Sequence, residues 1–223
     1  MPRKNLIRSN KYPYHITNRY NNKNNLEINL RQAWDVYSKY LYAIKCIYGV
    51  RIHAFVMMQN HYHLILSTPD KNLDDAMKYF QTQISKAINH LSGEINHRFG
   101  SRYHWCLIEK SDYLSNVIRY VYLNPVKAKL CKKAELYPWS SLNRVNGYGS
   151  LYFPVAPLNV FHNSIPDYPI ALSRFVNQDY PDDVYIFTEK KLKRPVFRLT
   201  TPQLAEEQKV VKKFQALLNN DAP

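Results

Sequence analysis

The sequence has little cysteine, little negative charge and no long hydrophobic run. Its three cysteines, Cys46, Cys106 and Cys131, are widely spaced and form no CxxC pair, which argues against a disulfide framework and a thiolate zinc site. No apolar run approaches the roughly 18–20 residues that cross a bilayer, and the N-terminal MPRKNLIRSN has no hydrophobic signal core. We therefore expect a cytoplasmic protein that does not contact a membrane.

Positive charge is concentrated in the first part of the chain. The 223 residues include 31 Lys or Arg against 17 Asp or Glu, and most of the net charge of +14 falls within positions 1–140. This favours a polyanion-binding domain followed by a nearly neutral extension, although a generally basic protein is the plainer interpretation. The 19 tyrosines and 9 phenylalanines favour nucleic acid further, because rings among Lys and Arg can stack on unpaired bases. Most of these rings must nevertheless belong to the core.

Hydrophobic periodicity predicts strands alternating with helices over positions 1–130. Apolar residues at every second position indicate strands, and apolar residues three and four apart indicate helices. The predicted strands are 14–19, 51–58, 61–67 and 105–110, the second and third forming a hairpin. The predicted helices are 30–49, 72–92 and 111–124, the last ended by Pro125. This order predicts an α+β fold with helices packed on an antiparallel sheet.

The character of the chain changes near residue 150. Five prolines between 154 and 181 break the segment into short pieces. They are followed by a predicted strand, VYIF (184–187), and by a last helix that begins at Thr201. We predict a domain over 1–150 and an extension over 151–223 that packs on it, with a basic run at 190–194 that either contacts DNA or is solvated.

Two histidines lie two residues apart in the strand HYHLILS. Side chains alternate along a strand, so His61 and His63 leave the same face while Tyr62 leaves the other. Two neighbouring imidazoles can bind a divalent metal and leave positions open for a third ligand, water and substrate. The plainer interpretation is a pair of histidines satisfied by hydrogen bonds on a sheet surface.

A tyrosine and an asparagine lie one turn apart in the helix containing RYVYLNPVKA. Tyr120 and Asn124 are i and i+4 and share a face, whereas Tyr122 lies about 200° around the helix from Tyr120 and is better interpreted as core. A phenol beside a carboxamide can serve as a nucleophile and a metal ligand. Equally, the tyrosine ring can be buried and the asparagine can end the helix before Pro125.

Four segments in order resemble one known family. The segments YHITNR (14–19), FVMMQNHYHLIL (55–66), RYVYLNPVKAKL (119–130) and YPWSSL (137–142) are similar to those of the REP-associated and related single-tyrosine transposases of the HUH endonuclease superfamily. The resemblance covers about residues 10–150. It implies a ferredoxin-like antiparallel sheet that bears a His-hydrophobic-His motif, with the tyrosine on a nearby helix.

The resemblance also implies roles for individual residues. His61, His63 and Asn124 look like ligands of Mg²⁺ or Mn²⁺, with Tyr62 as an unusually large and polar intervening residue, and Tyr120 looks like the nucleophile. Such an enzyme cleaves single-stranded DNA beside palindromic hairpins and forms a 5′-phosphotyrosine and a free 3′-hydroxyl. A second strand's 3′-hydroxyl can then reverse the step and complete transposition without ATP. DNA binding would associate the protein with the nucleoid.

Basic residues that flank these motifs are candidates for gripping phosphates. They are Arg3, Lys4, Arg8, Lys11 and Arg19 near the N-terminus and Lys127, Lys129, Lys132 and Lys133 after the tyrosine. The N-terminal group can equally be a mobile solvated arm. Monomer and homodimer are both compatible with the sequence.

Two other functions compete with this one. The same basic fold could bind hairpin DNA or RNA without cleaving it, but an inactive relative has no chemical reason to keep His61, His63, Tyr120 and Asn124 together. A zinc-dependent hydrolase is the second alternative, and the sequence has neither an HExxH helix nor an evident carboxylate at ligand spacing. A requirement for Mg²⁺ or Mn²⁺ rather than tightly held zinc separates these cases.

Overall fold

A computed structural model of the chain describes residues 5–21, 26, 28–95, 97–150, 152–157 and 168–220. The strands in these ranges are β1 (Tyr14–Arg19), β2 (Arg51–Met57), β3 (His61–Ser67), β4 (His104–Ile108) and β5 (Val196–Phe197). The helices in the same ranges are α1 (Leu30–Tyr48), α2 (Leu73–Ser92), α3 (Ser111–Lys127), α4 (Ser141–Val145), α5 (Tyr168–Val176), α6 (Asp182–Leu192) and α7 (Thr201–Asn220). None of these helices, as far as the chain is described, is long and apolar enough to cross a membrane.

The sheet has the order β2-β3-β1-β4-β5. The first four strands are antiparallel to their neighbours and follow the chain order βαββαβ, which is the ferredoxin-like arrangement. The predicted α+β class is therefore confirmed. The sheet as a whole is mixed, because β5 from the C-terminal part of the chain pairs with β4 in parallel.

One face of the sheet is covered by α1 and α2. The side chain of Asn29 caps the N-terminus of α1 by accepting from the backbone N–H of Gln32, and Gly49 ends this helix in the left-handed conformation. Both helices bury one apolar stripe against the strand residues that point to their side, such as Tyr62 and Leu64. The side chains that alternate with these residues leave the sheet on the opposite face.

The opposite face is covered by α3 and by the C-terminal helices. Val117, Ile118 and Val121 of α3 share a buried cluster with sheet residues and with Phe175 of α5 and Phe214 of α7. The C-terminal part of the chain therefore packs against the helix that carries Tyr120. The domain boundary at residue 150 stays a prediction.

Two predictions are corrected by more than a shift of one or two residues, and the first is the strand predicted over 184–187, which is wrong. The segment 184–187 is helical in α6, because a run of four apolar residues suits either element and the flanking charges favour a helix. Asp182 lies in the first turn and Lys191 in the last, where each complements the helix dipole, while Thr188 and Leu192 are buried four residues apart.

The end of α3 is the second difference. The helix continues through Pro125 to Lys127, because a proline in the last turn removes a single hydrogen bond. The end is held instead by the N–H of Ala128 on the carbonyl of Asn124 and the N–H of Leu130 on the carbonyl of Pro125, both at 2.9 Å.

Replacement of Trp34 by alanine tests the core beneath α1. The Trp34 ring is buried and lies 5.6 Å from the Phe55 ring, 6.3 Å from Trp139 and 6.2 Å from Phe153, measured between centroids. We expect Trp34→Ala to lower the free energy of unfolding by about 3–5 kcal/mol in urea titrations. The exposed Tyr42 on the same helix is the control, and Tyr42→Ala should cost less than about 0.5 kcal/mol. Equal losses in the two variants would contradict this packing.

Candidate functional site

A pocket opens on the α3 side of the sheet, between β1, β3, α3 and α6. Its volume is about 560 Å³. Its lining combines imidazole, phenol, carboxamide and guanidinium groups with one carboxylate among the described residues. The lining residues are His15, Thr17, Asn18, Arg19, His61, His63, Ser101, Arg102, His104, Tyr120, Asn124, Tyr185, Glu189, Leu192 and Lys193. The four residues singled out as metal ligands and nucleophile are all in this set.

The alternation of β3 brings His61 and His63 to the pocket. Their ring centroids are 5.0 Å apart, and their partners on β1 across the sheet are Arg19 and Thr17. Tyr62, between them, is buried in the cluster under α1 and α2, so its size is accommodated on the other face. The Oδ1 atom of Asn60 lies 2.6 Å from the Nδ1 atom of His61. Because an amide oxygen can only accept, the proton of this ring lies on Nδ1, and Nε2 keeps its electron pair.

The α3 helix supplies Tyr120 and Asn124. The Tyr120 ring lies edge to face with the His63 ring at 5.6 Å between centroids. One turn later, the Nδ2 atom of Asn124 donates to the backbone carbonyl of Tyr120 at 2.7 Å. Tyr122 points away, is buried, and shares a hydrogen bond of 3.0 Å with the Oγ atom of Ser141, as its predicted place in the core requires.

His15 is a site residue that the sequence analysis missed. Its Nε2 atom and the Nδ1 atom of His63 share a hydrogen bond of 2.9 Å, and the two rings are stacked at 5.2 Å. The alternation of YHITNR does place His15 and Arg19 on one strand face. Periodicity along the chain does not show that β1 lies directly beside β3, and that pairing makes His15 a neighbour of His63.

Tyr185 and Glu189 of α6 were also missed. The Tyr185 ring lies 4.9 Å from the Tyr120 ring, and the Oη atom of Tyr185 donates to the Oδ1 atom of Asn124 at 3.0 Å. Glu189 lines the pocket one turn later and forms an ion pair of 3.0 Å with Lys193. No pattern in the sequence marks these residues, because a segment interpreted as a strand cannot place positions 185 and 189 together on one helical face.

Burial keeps the imidazoles of His15, His61 and His63 neutral. Desolvation is the main cause of a lowered pKa in all three rings. The pKa of His61 falls to about 4, that of His15 to about 3, and that of His63 well below its usual value. The positive charge of Arg19 lowers the pKa of His61 further. Neutral imidazoles keep an electron pair available, which is the form that binds metals.

The phenol of Tyr120 is held in its protonated form. Burial raises its pKa above the ordinary value of 10.0, and the neighbouring Tyr185 and the negative charge of Glu189 raise it further. The side chain of Asn124 acts in the opposite direction and lowers the pKa of Tyr120. Ionisation of this phenol therefore needs positive charge or a proton acceptor beside it.

The donor atoms in the pocket fit a divalent metal. The Nε2 atom of His63 is buried without a hydrogen-bond partner, the Nε2 atom of His61 is the free nitrogen of its ring, and the amide oxygen of Asn124 is close by. Imidazole nitrogen with amide oxygen suits Mn²⁺ better than Mg²⁺, because Mg²⁺ is usually bound by oxygen ligands alone. No group of three His, Cys, Asp or Glu suited to a metal occurs in the residues described above.

The predicted phosphate-binding residues occupy different environments. Arg3 and Lys4 lie outside the described residues, and exposed Arg8 pairs with Asp74 at 2.5 Å. Arg19 is exposed at the rim of the pocket, and Lys127 is held by Asp182 at 2.6 Å. The other four predicted residues are exposed and do not line the pocket; they are Lys11, Lys129, Lys132 and Lys133.

Comparisons with known proteins show which family the chain belongs to. The chain is similar to a solved REP-associated tyrosine transposase bound to a REP hairpin, with a TM-score of 0.56 and 18% identity, over 74% of this chain and 96% of that one. A candidate transposase from Deinococcus radiodurans has a TM-score of 0.36 and 16% identity, over 58% of this chain and 91% of that one. The comparison with curated proteins finds no match. The family model "Transposase IS200 like" matches residues 8–124, more than half of the chain, and the chain therefore belongs to the family of IS200-like transposases.

Proposed function

We propose that this protein is a metal-dependent endonuclease and strand transferase that cleaves single-stranded DNA beside palindromic hairpins, through a 5′-phosphotyrosine on Tyr120. The observation that carries the proposal is the convergence of Tyr120, His61, His63 and Asn124 on one pocket from two separate elements. Membership of a transposase family supports the same conclusion.

His61, His63 and Asn124 are the residues that would hold Mg²⁺ or Mn²⁺, through the two Nε2 atoms and Oδ1. Ligation at Nε2 requires the proton of His63 to lie on Nδ1, where it donates to Nε2 of His15. His15 would thus fix the tautomer and ring orientation of His63. When bound, the metal would polarise the scissile phosphate and stabilise the charge on the leaving 3′-oxygen.

Tyr120 is the nucleophile in this mechanism. Its Oη atom forms a bond to phosphorus while the bond from phosphorus to the in-line 3′-oxygen breaks, and this oxygen takes up a proton from water to become a hydroxyl. The proton of the phenol needs an acceptor, and Glu189 is the carboxylate among the described lining residues. The covalent bond to Tyr120 conserves the energy of the phosphodiester, so a second 3′-hydroxyl can reverse the step and complete strand transfer.

Basic side chains at the rim suit a single strand that enters the pocket. Arg19 and Arg102 line the opening and are exposed, so they can contact the phosphates on either side of the scissile bond. Lys129, Lys132 and Lys133 would extend the positive surface. The similar solved structure is bound to a REP hairpin, which makes hairpin DNA the first substrate to test.

A non-catalytic hairpin-binding protein is the second candidate. It is favoured by the burial of Tyr120, whose exposed fraction is 5%, and by the raised pKa of its phenol. A protein that only binds DNA would have no role for the two neutral imidazoles of His61 and His63 or for the unpartnered Nε2 atom of His63. Adduct formation separates the two candidates.

Removal of the metal tests the proposed function. The protein would be incubated with labelled single-stranded oligonucleotides that carry the palindromes flanking its own gene, with Mn²⁺, with Mg²⁺ or with EDTA. We expect a protein-linked band on denaturing gels with either metal, more with Mn²⁺, and a loss of at least about 100-fold in EDTA, because the metal supplies charge stabilisation. Hairpin binding without an adduct in either metal would support the binding protein instead.

A further inference from the structure

Tyr185 lies in the pocket although it belongs to the C-terminal part of the chain. The family model ends at residue 124, and α6 begins only at Asp182. The Tyr185 side chain is half-buried and contacts both the proposed nucleophile and the proposed third ligand. Tyr185 therefore contacts the two groups on which the proposed reaction depends.

The first contact is made to the amide oxygen of Asn124. Its Nδ2 atom donates to the backbone carbonyl of Tyr120 at 2.7 Å, and its Oδ1 atom accepts from Oη of Tyr185 at 3.0 Å. The opposite orientation would bring the amide oxygen against the carbonyl oxygen of Tyr120, so the network selects one arrangement. An amide oxygen has two lone pairs, and the bond from Tyr185 leaves one of them for a metal.

The second contact restricts the nucleophile. The rings of Tyr185 and Tyr120 are 4.9 Å apart between centroids and inclined by 33°, within the range of favourable aromatic pairs. The rings of Tyr120 and His63 also meet, edge to face, at 5.6 Å between centroids. Contacts with both rings therefore limit the movement of the Tyr120 ring.

Tyr185 is itself fixed by its helix. At one end of α6, Asp182 pairs with Lys127 of α3 at 2.6 Å, and Lys127 also donates to the carbonyl of Tyr180 at 2.9 Å. At the other end, Nε2 of His104 donates to the carbonyl of Lys193 at 3.1 Å. The helix is thus attached on both sides of the pocket, and the position of Tyr185 does not depend on its own contacts alone.

We propose that Tyr185 is a positioning residue, which holds the Asn124 oxygen for the metal and the Tyr120 ring for attack. The proposal rests on the proposed function of the pocket. Hydrogen-bond partners of ligating groups typically change metal affinity by about 10–100-fold when they are removed. The hydroxyl of Tyr185 should act on metal affinity, and its ring should act on the placement of Tyr120.

Mn²⁺ binding to the whole chain without DNA tests the proposal. The free Mn²⁺ signal would be followed by electron paramagnetic resonance for wild type, Tyr185→Phe and Tyr180→Phe, and adduct formation would be titrated with Mn²⁺ in parallel. Tyr180 is a matched control, since its hydroxyl is buried against Thr188 outside the pocket lining. We expect Tyr185→Phe to bind Mn²⁺ about 10–100-fold more weakly, with the adduct rate recovered at saturating Mn²⁺.

The controls separate positioning from stability. Tyr180→Phe should keep the wild-type Mn²⁺ affinity, and melting curves should show both variants folded. An unchanged Mn²⁺ affinity in Tyr185→Phe, beside a wild type that binds metal and forms adduct, would overturn the positioning role and leave the proposed function standing. A wild type without Mn²⁺ binding or adduct would contradict the proposed function and this inference together. An adduct that survives in Tyr120→Phe and is lost in Tyr185→Phe would make Tyr185 the nucleophile and overturn its assignment as a positioning residue.

Discussion

Replacement of Tyr120 by phenylalanine is expected to abolish the covalent adduct with hairpin DNA. The substitution keeps the ring that contacts His63 and Tyr185 but removes the oxygen that is proposed to attack phosphorus. We expect the rate of adduct formation to fall by at least about 10⁴-fold, as nucleophile removal does in other covalent enzymes. Denaturing gels with labelled oligonucleotide measure the adduct, and filter binding should show hairpin affinity close to that of wild type.

Tyr122 provides the matched control for this variant. It lies two residues away on the same helix, but it is buried in the core and shares a hydrogen bond of 3.0 Å with Ser141. Tyr122→Phe should therefore keep the adduct and cost about 1 kcal/mol of the free energy of unfolding. An adduct lost in Tyr122→Phe and kept in Tyr120→Phe would exchange the roles assigned to the two tyrosines.

Replacement of His61 by alanine should have the second-largest effect. It removes one of the two imidazoles of the proposed metal site while leaving His63 and its partner His15 in place. We expect the initial rate of adduct formation at subsaturating Mn²⁺ to fall by more than about 100-fold. Removal of a hydrogen-bond partner of a metal ligand already lowers metal affinity by about 10–100-fold, and removal of the ligand itself should lower it at least as much. A Mn²⁺ titration of the initial rate makes the measurement.

His53 is the control for a buried histidine outside the pocket. It is held by the carbonyl of Ala156 at 3.0 Å and by the Oγ atom of Ser67 at 2.7 Å. His53→Ala should lower stability by about 1–3 kcal/mol and keep the metal dependence of adduct formation. Equal losses of activity in the two histidine variants, or full activity in His61→Ala, would contradict the proposed metal site.

The fold of the chain from β1 to α3 was largely predictable because its signals are local. Strand alternation, helical spacing and the glycine after α1 fix the type of each element and most of the ends. The segment 184–187 was not predictable in this way, because four apolar residues fit either period. The parallel pairing of β5 with β4 joins distant parts of the chain and has no local signal.

The candidate site likewise contains residues that local sequence signals predict and residues that only tertiary contacts bring together. The spacing of His61 and His63 on one strand predicted that they lie side by side. The spacing of Tyr120 and Asn124 on one helix did the same for that pair. His15 and Tyr185 enter the pocket through tertiary contacts, one by strand order and the other by packing of α6 on α3. Spacing along the chain therefore predicted the pocket residues that lie on a single element, and it missed those that strand order and helix packing bring to the pocket.

Mapping of the covalent bond tests the central claim most directly. The adduct formed in Mn²⁺ would be trimmed with nuclease and digested with trypsin, which cuts after Arg119 and Lys127 and releases residues 120–127. Fragmentation of this peptide by mass spectrometry distinguishes its two tyrosines. The account predicts a nucleotide linked through its 5′-phosphate to Tyr120. A nucleotide on any other residue, or wild-type protein that binds the hairpin and carries no nucleotide, would contradict it.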